Sequence, residues 1–227
     1  MGNKLLGYKG VRAIWIDVGA HLGEKTFQVA KENPSLIVYA FEPNLKVAIQ
    51  LIGLLPNFVV IPMAVTEKNG FSDLYINAYD AASSILPFNT NGLKHWIGGE
   101  NLKVENKVFV PTIRLDTFMN LVGISKVDYI KIDAQGADFF VIKSTGDRLK
   151  DIQKISLEVQ LTPIPLYAGA VSKDEIVDFL KKSGFVLVDC ERQNFDQEEN
   201  MTFMKVPCVK KSFGRDKKMF YSLSSSL

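Results

Sequence analysis

The sequence is poor in cysteine, in long apolar runs and in excess charge, and each shortage narrows the class of protein. Only two of its 227 residues are cysteines, Cys190 and Cys208, which argues against a disulfide framework and leaves no metal-binding spacing. No apolar run approaches the ~18 residues of a membrane span, and the N-terminus lacks the apolar segment of a secretory signal. We therefore expect a cytoplasmic protein with no membrane partner, and we assign no residue to a metal. In its strand pattern, Cys190 is predicted to be a buried free thiol.

The charge is nearly balanced, with 27 Lys and Arg residues against 25 Asp and Glu residues. Proteins that bind nucleic acid usually show a stronger basic excess on one face, so we do not expect a nucleic-acid partner. The one local basic excess lies in the last residues, 207–227, which we predict to be a mobile tail. Nothing in the sequence indicates an oligomeric state.

Buried strands alternate with amphipathic helices along most of the chain. The apolar pattern predicts core strands over 12–18, 36–41, 58–65, 127–133 and 152–160, and an antiparallel terminal pair over 185–190 and 201–206 joined by a polar connection. It predicts helices over 24–33, 44–55, 116–122, 138–144 and 172–183. Such alternation is typical of a doubly wound, mostly parallel α/β sheet with helices on both faces, here in one domain of residues 1–206.

The middle of the chain departs from this alternation. Residues 73–77 and 108–113 are predicted to form additional strands, and residues 79–106 between them are rich in Ser, Asn and Gly. A connection of that length within a compact domain is usually functional or disordered. We interpret residues 79–106 as a lid or substrate-binding insertion.

The loops after the first two predicted strands carry a nucleotide-binding pattern. Gly19 and Gly23 of the first loop allow a tight turn and a close approach to a ligand. Glu42 follows about 20 residues later, where an acidic residue binds ribose hydroxyls in nucleotide-binding βαβ units. Glu42 could instead be an exposed residue that the helix dipole favours at the start of a helix. The glycine loop at this distance favours ribose binding.

Candidates for the rest of the site follow the third and fourth strands. Residues 62–65, which include Ala64, could flank a flat apolar ring such as adenine. Lys131 and Asp133 are two residues apart and therefore face the same side of their strand. Asp133 should emerge at the carboxyl edge of the sheet beside the first strand, where ligands bind in open α/β sheets.

The fifth strand places Glu158 and Gln160 on one face. A charged Glu158 inside a strand is costly unless it is paired. Its partner could be structural, namely Lys131 or a backbone group, or it could belong to the chemistry of the site.

In this order and with these gaps, the motifs resemble those of the FkbM-type methyltransferases. The resemblance rests on Ile16 to Gly23 (IDVGAHLG), Phe41 to Pro43 (FEP), Leu115 to Thr117 (LDT), Asp128 to Ala137 (DYIKIDAQGA) and Leu157 to Val159 (LEV), and it spans about residues 11–206. It implies a class I fold with a seven-stranded, Rossmann-like sheet and S-adenosylmethionine as the cofactor. It also implies, most often, O-methylation of a sugar or natural-product hydroxyl, so the expected partner is a small-molecule acceptor.

The family pattern also assigns site residues. It places Gly19 and Gly23 in the cofactor loop, Glu42 on the ribose and Asp133 near the methionine end. The predicted cofactor site further includes Asp17, Ala20, His21, Pro43, Ala64, Ser84 and Gln135.

Three residues depart from the family pattern. The fourth-strand motif usually reads Asp-x-Glu-Gly, and Gln135 replaces the acid; the fifth-strand motif often ends Leu-Glu-x-His, and Gln160 replaces the His. An amide can orient an acceptor hydroxyl but cannot remove its proton. The two glutamines therefore argue against a metal site built on carboxylates, and against general-base catalysis in the family's usual manner. His21 stands where the family often has Asn; it could act as a base or donate to the cofactor carboxylate.

For catalysis, the sequence favours Asp133 as the base or acceptor-orienting group, assisted by Glu158, Gln160 and Gln135. The insertion would cover the site, with Trp96 stacked on a sugar or anchoring the lid.

Three alternatives remain open at this point. The two glutamines suggest a cofactor-binding protein that has lost catalysis. A nicotinamide-dependent oxidoreductase is disfavoured by the G-x-x-x-G spacing and by the absence of an evident Tyr-x-x-x-Lys pair. A nucleic-acid methyltransferase would have only the basic tail in its favour.

Overall fold

The structure is a computed structural model, and it describes residues 13–206. Arg12, Cys208 and the predicted tail lie outside the described residues. Ten strands are described: β1 (Ala13–Val18), β2 (Leu36–Phe41), β3 (Phe58–Ile61), β4 (Ala64–Val65), β5 (Gly70–Asn77), β6 (Val104–Ile113), β7 (Tyr129–Ile132), β8 (Lys154–Gln160), β9 (Phe185–Gln193) and β10 (Glu198–Lys205).

Six α-helices are described: α1 (Phe27–Glu32), α2 (Leu45–Ala48), α3 (Thr90–His95), α4 (Leu115–Val122), α5 (Asp138–Lys143) and α6 (Lys173–Lys182). Short 3-10 segments cover Asp80–Ala82, Gly99–Asn101 and Gly146–Asp151. Among the described residues, no helix is both long and apolar enough to cross a membrane.

Seven strands form the main sheet in the order β3-β2-β1-β7-β8-β10-β9. The first five are parallel, and β10 pairs antiparallel with both β8 and β9. This arrangement confirms the predicted doubly wound, Rossmann-like sheet with its antiparallel terminal hairpin. The strand order reverses between β1 and β7, so a crevice opens there at the carboxyl ends of the strands.

Helices cover both faces of this sheet because successive strand residues point to opposite sides. On one face the core includes Ala30 of α1 and Leu51, which follows α2. On the other, α4, α5 and α6 contribute Met119, Ile142 and Leu180, all fully or almost fully buried. These two apolar layers fix the strand ends and the loops that follow them.

The middle of the chain forms a second sheet of three strands, in the order β4-β6-β5. The predicted strand over 58–65 is therefore split in two: β3 belongs to the main sheet and β4 to the small one. Pro62 separates them, and its missing N–H cannot continue a ladder. The segment 79–106 is not a loop throughout, because it contains α3 and the start of β6.

Other predicted boundaries were wrong in specific ways. Helix α1 begins at Phe27 rather than residue 24, since turns occupy the residues before it. Helix α2 ends at Ala48 rather than at residue 55, because turns follow it over 49–53 and the Leu51 N–H bonds to the carbonyl of Ala48, three residues earlier. Leu51 of the predicted apolar stripe is nevertheless buried. The polar connection 191–200 is mostly strand. Cys190 is exposed rather than buried, since both faces of edge strand β9 are open there.

Candidate active site

A cavity of about 540 Å³ lies at the carboxyl ends of β1, β2, β7 and β8. This volume is in the range of small-molecule sites. Residues 79–85 and the loop between β8 and α6 contribute its roof. All of the predicted site residues line the cavity except Gly23 and Gln160.

Gly19 allows the loop after β1 to pass against the end of β7. Its φ is +70°, and a Cβ atom there would lie 1.8 Å from the carbonyl oxygen of Asp133. No other residue fits this approach. The contact brings the glycine loop and Asp133 into one cavity wall.

Glu42 is 7% exposed, yet it lines the cavity. Its two carboxylate oxygens accept the backbone N–H groups of His21 and Asn44, each at 2.8 Å. Burial raises the pKa of Glu42, although these two N–H groups oppose that effect. Each oxygen keeps one lone pair, so the carboxylate can still accept hydrogen bonds from two hydroxyl groups.

Lys131 lies between two carboxylates beneath the cavity. Its Nζ is 3.2 Å from Asp17 Oδ1 and 3.5 Å from Asp133 Oδ2, and it donates to the Gly19 carbonyl at 2.8 Å. Burial alone would lower the pKa of Lys131, but the two carboxylates outweigh it and raise that pKa. Asp17 also accepts a hydrogen bond from the Thr26 hydroxyl. Through these contacts Lys131 connects β1 to β7. It does not form an ion pair with Glu158.

The ring of His21 joins the glycine loop to the roof. Nδ1 lies 2.7 Å from Glu24 Oε1, and Nε2 lies 3.1 Å from Asp80 Oδ1. Burial lowers the pKa of His21, but Glu24 and Asp80 outweigh this effect and raise it. Both ring nitrogens are thus occupied by carboxylates in this structure.

Asp133 is a partly exposed carboxylate at the end of β7 in the cavity, with 31% of its side chain accessible. Its Oδ1 accepts a hydrogen bond from Gln135 Nε2 at 2.8 Å. Gln135 Oε1 in turn accepts one from the hydroxyl of Tyr167 at 2.8 Å.

Glu158 and Glu198 face the same cavity from β8 and β10. Burial, followed by the charge of Asp133, raises the pKa of Glu158 to about 9. Burial likewise raises the pKa of Glu198. Their side-chain partners are the amides of Gln193 and Asn194. Glu158 therefore keeps its proton at neutral pH, which removes the cost of a buried charge.

The predicted insertion is attached to the strand ends at Ser84, whose hydroxyl donates to the Gln135 carbonyl at 2.7 Å. Trp96 is buried against Leu166 and Tyr167 and also lines the cavity, so it anchors this part of the roof. His95 is exposed and does not line the cavity.

Two predicted residues lie behind the cavity wall. Gly23 packs α1, since a Cβ atom there would lie 3.0 Å from Phe27 Cβ. Gln160 accepts the Leu166 N–H at 2.9 Å, and its Nε2 is buried without a hydrogen-bond partner.

Several residues that line the cavity were missed from the sequence. Asp80, Tyr167, Gln193, Asn194 and Glu198 reach it only through the tertiary fold. The single available signal was the polar composition of residues 191–200 between two apolar strands. Among the described residues, no group of three or more His, Cys, Asp or Glu side chains is arranged to hold a metal ion.

The cavity fits S-adenosylmethionine in three respects. Glu42 offers a buried carboxylate to vicinal ribose hydroxyls. Met63 and Ala64 provide apolar surface for a flat ring, beside the Pro43 that follows Glu42. Gly19 lets backbone, rather than a side chain, face the ligand.

Comparisons with known proteins agree with this geometry. The model of the methyltransferase FkbM domain matches residues 17–187. The chain is 24% identical over 176 residues to the 2-O-methyltransferase NoeI of Sinorhizobium fredii, covering 73% of this chain and 70% of NoeI. It is 26% identical over 204 residues to the AMB antimetabolite synthetase AmbE of Pseudomonas aeruginosa, covering 76% of this chain but only 9% of AmbE.

Solved structures give weaker likenesses. Aeropyrum pernix fibrillarin with natively bound S-adenosyl-L-methionine has a TM-score of 0.47 at 13% identity, covering 88% of this chain and 70% of fibrillarin. The Methanococcus jannaschii fibrillarin pre-rRNA processing protein has a TM-score of 0.45 at 16% identity, covering 90% of this chain and 70% of that protein. The family match spans most of the chain, and the chain therefore belongs to the FkbM methyltransferase family and uses S-adenosylmethionine.

Proposed function

We propose that this chain is an O-methyltransferase that acts on a hydroxyl of a small molecule, either a sugar or a natural product. The observation that carries the proposal is the Asp133 carboxylate, which shares the cavity with Glu42 and stays partly exposed there. The name of the relative NoeI, a 2-O-methyltransferase, supports oxygen as the atom that is methylated.

Cofactor binding and proton removal would be carried out by different residues of the chain. Glu42 would accept the ribose hydroxyls, while the backbone at Gly19 and Ala20 would border the ligand. Bound S-adenosylmethionine supplies a methyl carbon on a positively charged sulfur, and the electrons of the broken C–S bond leave with S-adenosylhomocysteine. Asp133 would take the proton of the acceptor hydroxyl as the new O–C bond forms, and would then release that proton to solvent.

Asp133 suits the role of base better than Glu158 does. Glu158 holds its own proton at neutral pH, since its pKa is raised to about 9 by burial and by the charge of Asp133. A protonated carboxyl can donate a hydrogen bond to an acceptor oxygen but cannot accept a proton. We therefore assign Glu158 to orienting the acceptor. Gln160 would act indirectly, through the backbone of Leu166.

The test is an acceptor screen with S-adenosylmethionine that carries a deuterated methyl group, read by mass spectrometry. The panel should contain sugars, polyols, phenols and RNA. For an acceptor that is methylated, we expect Asp133→Asn to lower kcat by roughly 10²- to 10⁴-fold, the usual effect of a general base. Binding of S-adenosylhomocysteine should change little. Asp147→Asn, at an exposed acid that does not line the cavity, is the matched control.

Other outcomes would replace the proposal. Cofactor binding without methylation of any panel member would favour a binding protein that has lost catalysis. Methylated RNA would make nucleic acid the substrate. Full activity in Asp133→Asn would remove Asp133 from the chemistry.

A further inference from the structure

A chain of three side chains connects the roof to the cavity carboxylate. The Tyr167 hydroxyl donates to Gln135 Oε1, and Gln135 Nε2 donates to Asp133 Oδ1, both at 2.8 Å. Tyr167 comes from the loop between β8 and α6, 32 residues beyond Gln135. The three side chains therefore meet only in the folded protein.

The chemistry of the two outer groups fixes the orientation of the amide between them. A carboxylate can only accept, so the amide nitrogen must face Asp133. The Tyr167 hydroxyl can supply the hydrogen that the amide oxygen needs, and burial raises the pKa of this hydroxyl well above its usual value, so it stays protonated. A flipped amide would place its oxygen against the carboxylate oxygen and lose the hydrogen bond to Asp133.

Tyr167 is held firmly enough to act as an anchor. Its side chain is 1% exposed, and its ring stacks on Phe88 at a centroid distance of 5.1 Å. A Cβ atom on Gly136 would lie 2.8 Å from the Tyr167 ring, so the backbone beside Gln135 packs directly against it. The carbonyl of Ala82, 2.9 Å from the hydroxyl, is an alternative acceptor for its one hydrogen.

The backbone of Gln135 is also constrained. Its φ is +51°, a left-handed conformation that is uncommon for residues other than glycine, and its carbonyl accepts the Ser84 hydroxyl. Such conformations persist only where the surroundings hold them, and they cluster at functional sites.

We infer that Tyr167 and Gln135 are positioning residues, which together hold the Asp133 carboxylate in place for the acceptor. The inference rests on the proposed function, because it takes Asp133 as the base. Gln135 stands where the family usually has an acid, and the inference assigns its amide the function of holding Asp133. The amide at this position is therefore not a sign of lost catalysis.

A neutral group suits position 135 because several carboxyl groups already lie near Asp133. Among the described residues, the cation within ion-pair distance of Asp133 is Lys131, whose Nζ is 3.5 Å from Asp133 Oδ2. Glu158 and Glu198 line the same cavity, and the buried Asp138 lies at the start of α5, with its pKa raised to about 7 by burial and by the charge of Asp133. Gln135→Glu would place another carboxyl group within hydrogen-bond distance of Asp133. Such a pair shares a proton, so Asp133 would lose its function as a base over part of the pH range.

The first test needs no acceptor. In the ¹⁵N-labelled full chain, the side-chain amide of Gln135 is identified by its absence in Gln135→Met. We expect slow exchange with water and shifts displaced from those of free glutamine. Tyr167→Phe should move them toward the free values, while Tyr129→Phe, which removes a hydroxyl that bonds to Ser156 outside the cavity, should not. Free-glutamine shifts in the wild type, or no change in Tyr167→Phe, would overturn the inference.

The second test uses the acceptor found in the screen. We expect Tyr167→Phe to lower kcat roughly tenfold, as the loss of one hydrogen bond does, with KM for S-adenosylmethionine unchanged. Gln135→Met removes both hydrogen bonds of the amide and should lower kcat more than Tyr167→Phe does. Gln135→Glu should lower kcat further and move the acidic limb of the pH–rate profile to higher pH. Higher kcat in Gln135→Glu would overturn the inference. If no acceptor is methylated, the proposed function fails, and the amide spectrum still decides whether the three side chains are linked.

Discussion

The two sides of the cavity hold their carboxylates by different means. On the glycine-loop side, formed by residues 17–24 and 42–44, Glu42 accepts two backbone N–H groups and Asp17 is paired with Lys131. On the hairpin side, formed by Asp133, Glu158, Gln193, Asn194 and Glu198, neutral side-chain amides approach each carboxyl group. Lys131 lies between the two sides and also faces Asp133.

This difference fits the roles proposed above for the two sides. Backbone groups are present whatever the side chain, so the glycine-loop side would recognise an unchanging cofactor with few specific residues. Side-chain amides can be exchanged by substitution, so the hairpin side, as the proposed acceptor side, could change its acceptor without disturbing the sheet. We therefore expect substitutions on the glycine-loop side to affect stability and cofactor binding, and those on the hairpin side to affect pH dependence and turnover.

The largest effect on stability should come from Gly19→Ala. The new Cβ would lie 1.8 Å from the Asp133 carbonyl at a φ of +70°. We expect the free energy of unfolding to fall by about 3 kcal/mol or more, from the clash and the left-handed backbone together. Gly53→Ala is the matched control, because Gly53 has a φ of +80° with nothing within 4 Å, and should cost about 1 kcal/mol. Equal losses in denaturant unfolding would contradict the close approach.

Glu158→Gln should change how stability depends on pH, rather than lower stability at a single pH. The folded pKa of Glu158 is raised to about 9, so the native state binds the proton more tightly than the unfolded chain does. Stability should therefore fall as pH rises from about 4.5, the ordinary value, to about 9. The substitution should flatten this slope in unfolding curves recorded across the range. An unchanged slope would show that Glu158 is ionised in the folded protein.

The smallest effect should come from His21→Asn, which removes the link between the glycine loop and Asp80. The charged groups that face this ring are Glu24, Asp80 and Glu42. Because the pKa of His21 is raised, the link is complete below about pH 6.5 and is lost as pH rises through the higher folded value. An exposed ion pair contributes at most about 1 kcal/mol, so hydrogen exchange of residues 79–84 should quicken only a few-fold. Unchanged exchange at pH 6 would mean that the contact does not hold the roof.

The sequence predicted the glycine-loop side better than the hairpin side because of how far apart the contacting residues are. Gly19, His21 and Glu42 lie on consecutive strand-loop units, and the contact from His21 to Glu42 spans 21 residues. The contact from Gln193 to Glu158 spans 35 residues and depends on the antiparallel pairing of β8, β9 and β10. The apolar pattern predicted the pairing of β9 with β10, but not the pairing of β10 with β8 that brings the hairpin to Glu158.

The same reasoning applies to the fold. The parallel core was predictable because its strands are apolar, in a continuous run in the fully buried β2 and at alternate positions in β8. In the small sheet, β5 and β6 were predicted as strands over 73–77 and 108–113, but β4 was not, because it has two residues and pairs with a strand some 50 positions later, Ala64 with Thr112. Helix α2 was predicted too long because Leu51 is buried from a turn, so apolar spacing alone does not show where the helix ends.

Calorimetric titration with S-adenosylhomocysteine tests whether this cavity binds S-adenosylmethionine through Glu42. We expect the wild type to bind and Glu42→Ala to bind about 100-fold more weakly, since two charge-assisted hydrogen bonds are lost. Glu32→Ala, at an exposed acid of α1, should bind like the wild type. Equal affinity in Glu42→Ala and the wild type, or no binding by the wild type, would contradict the account.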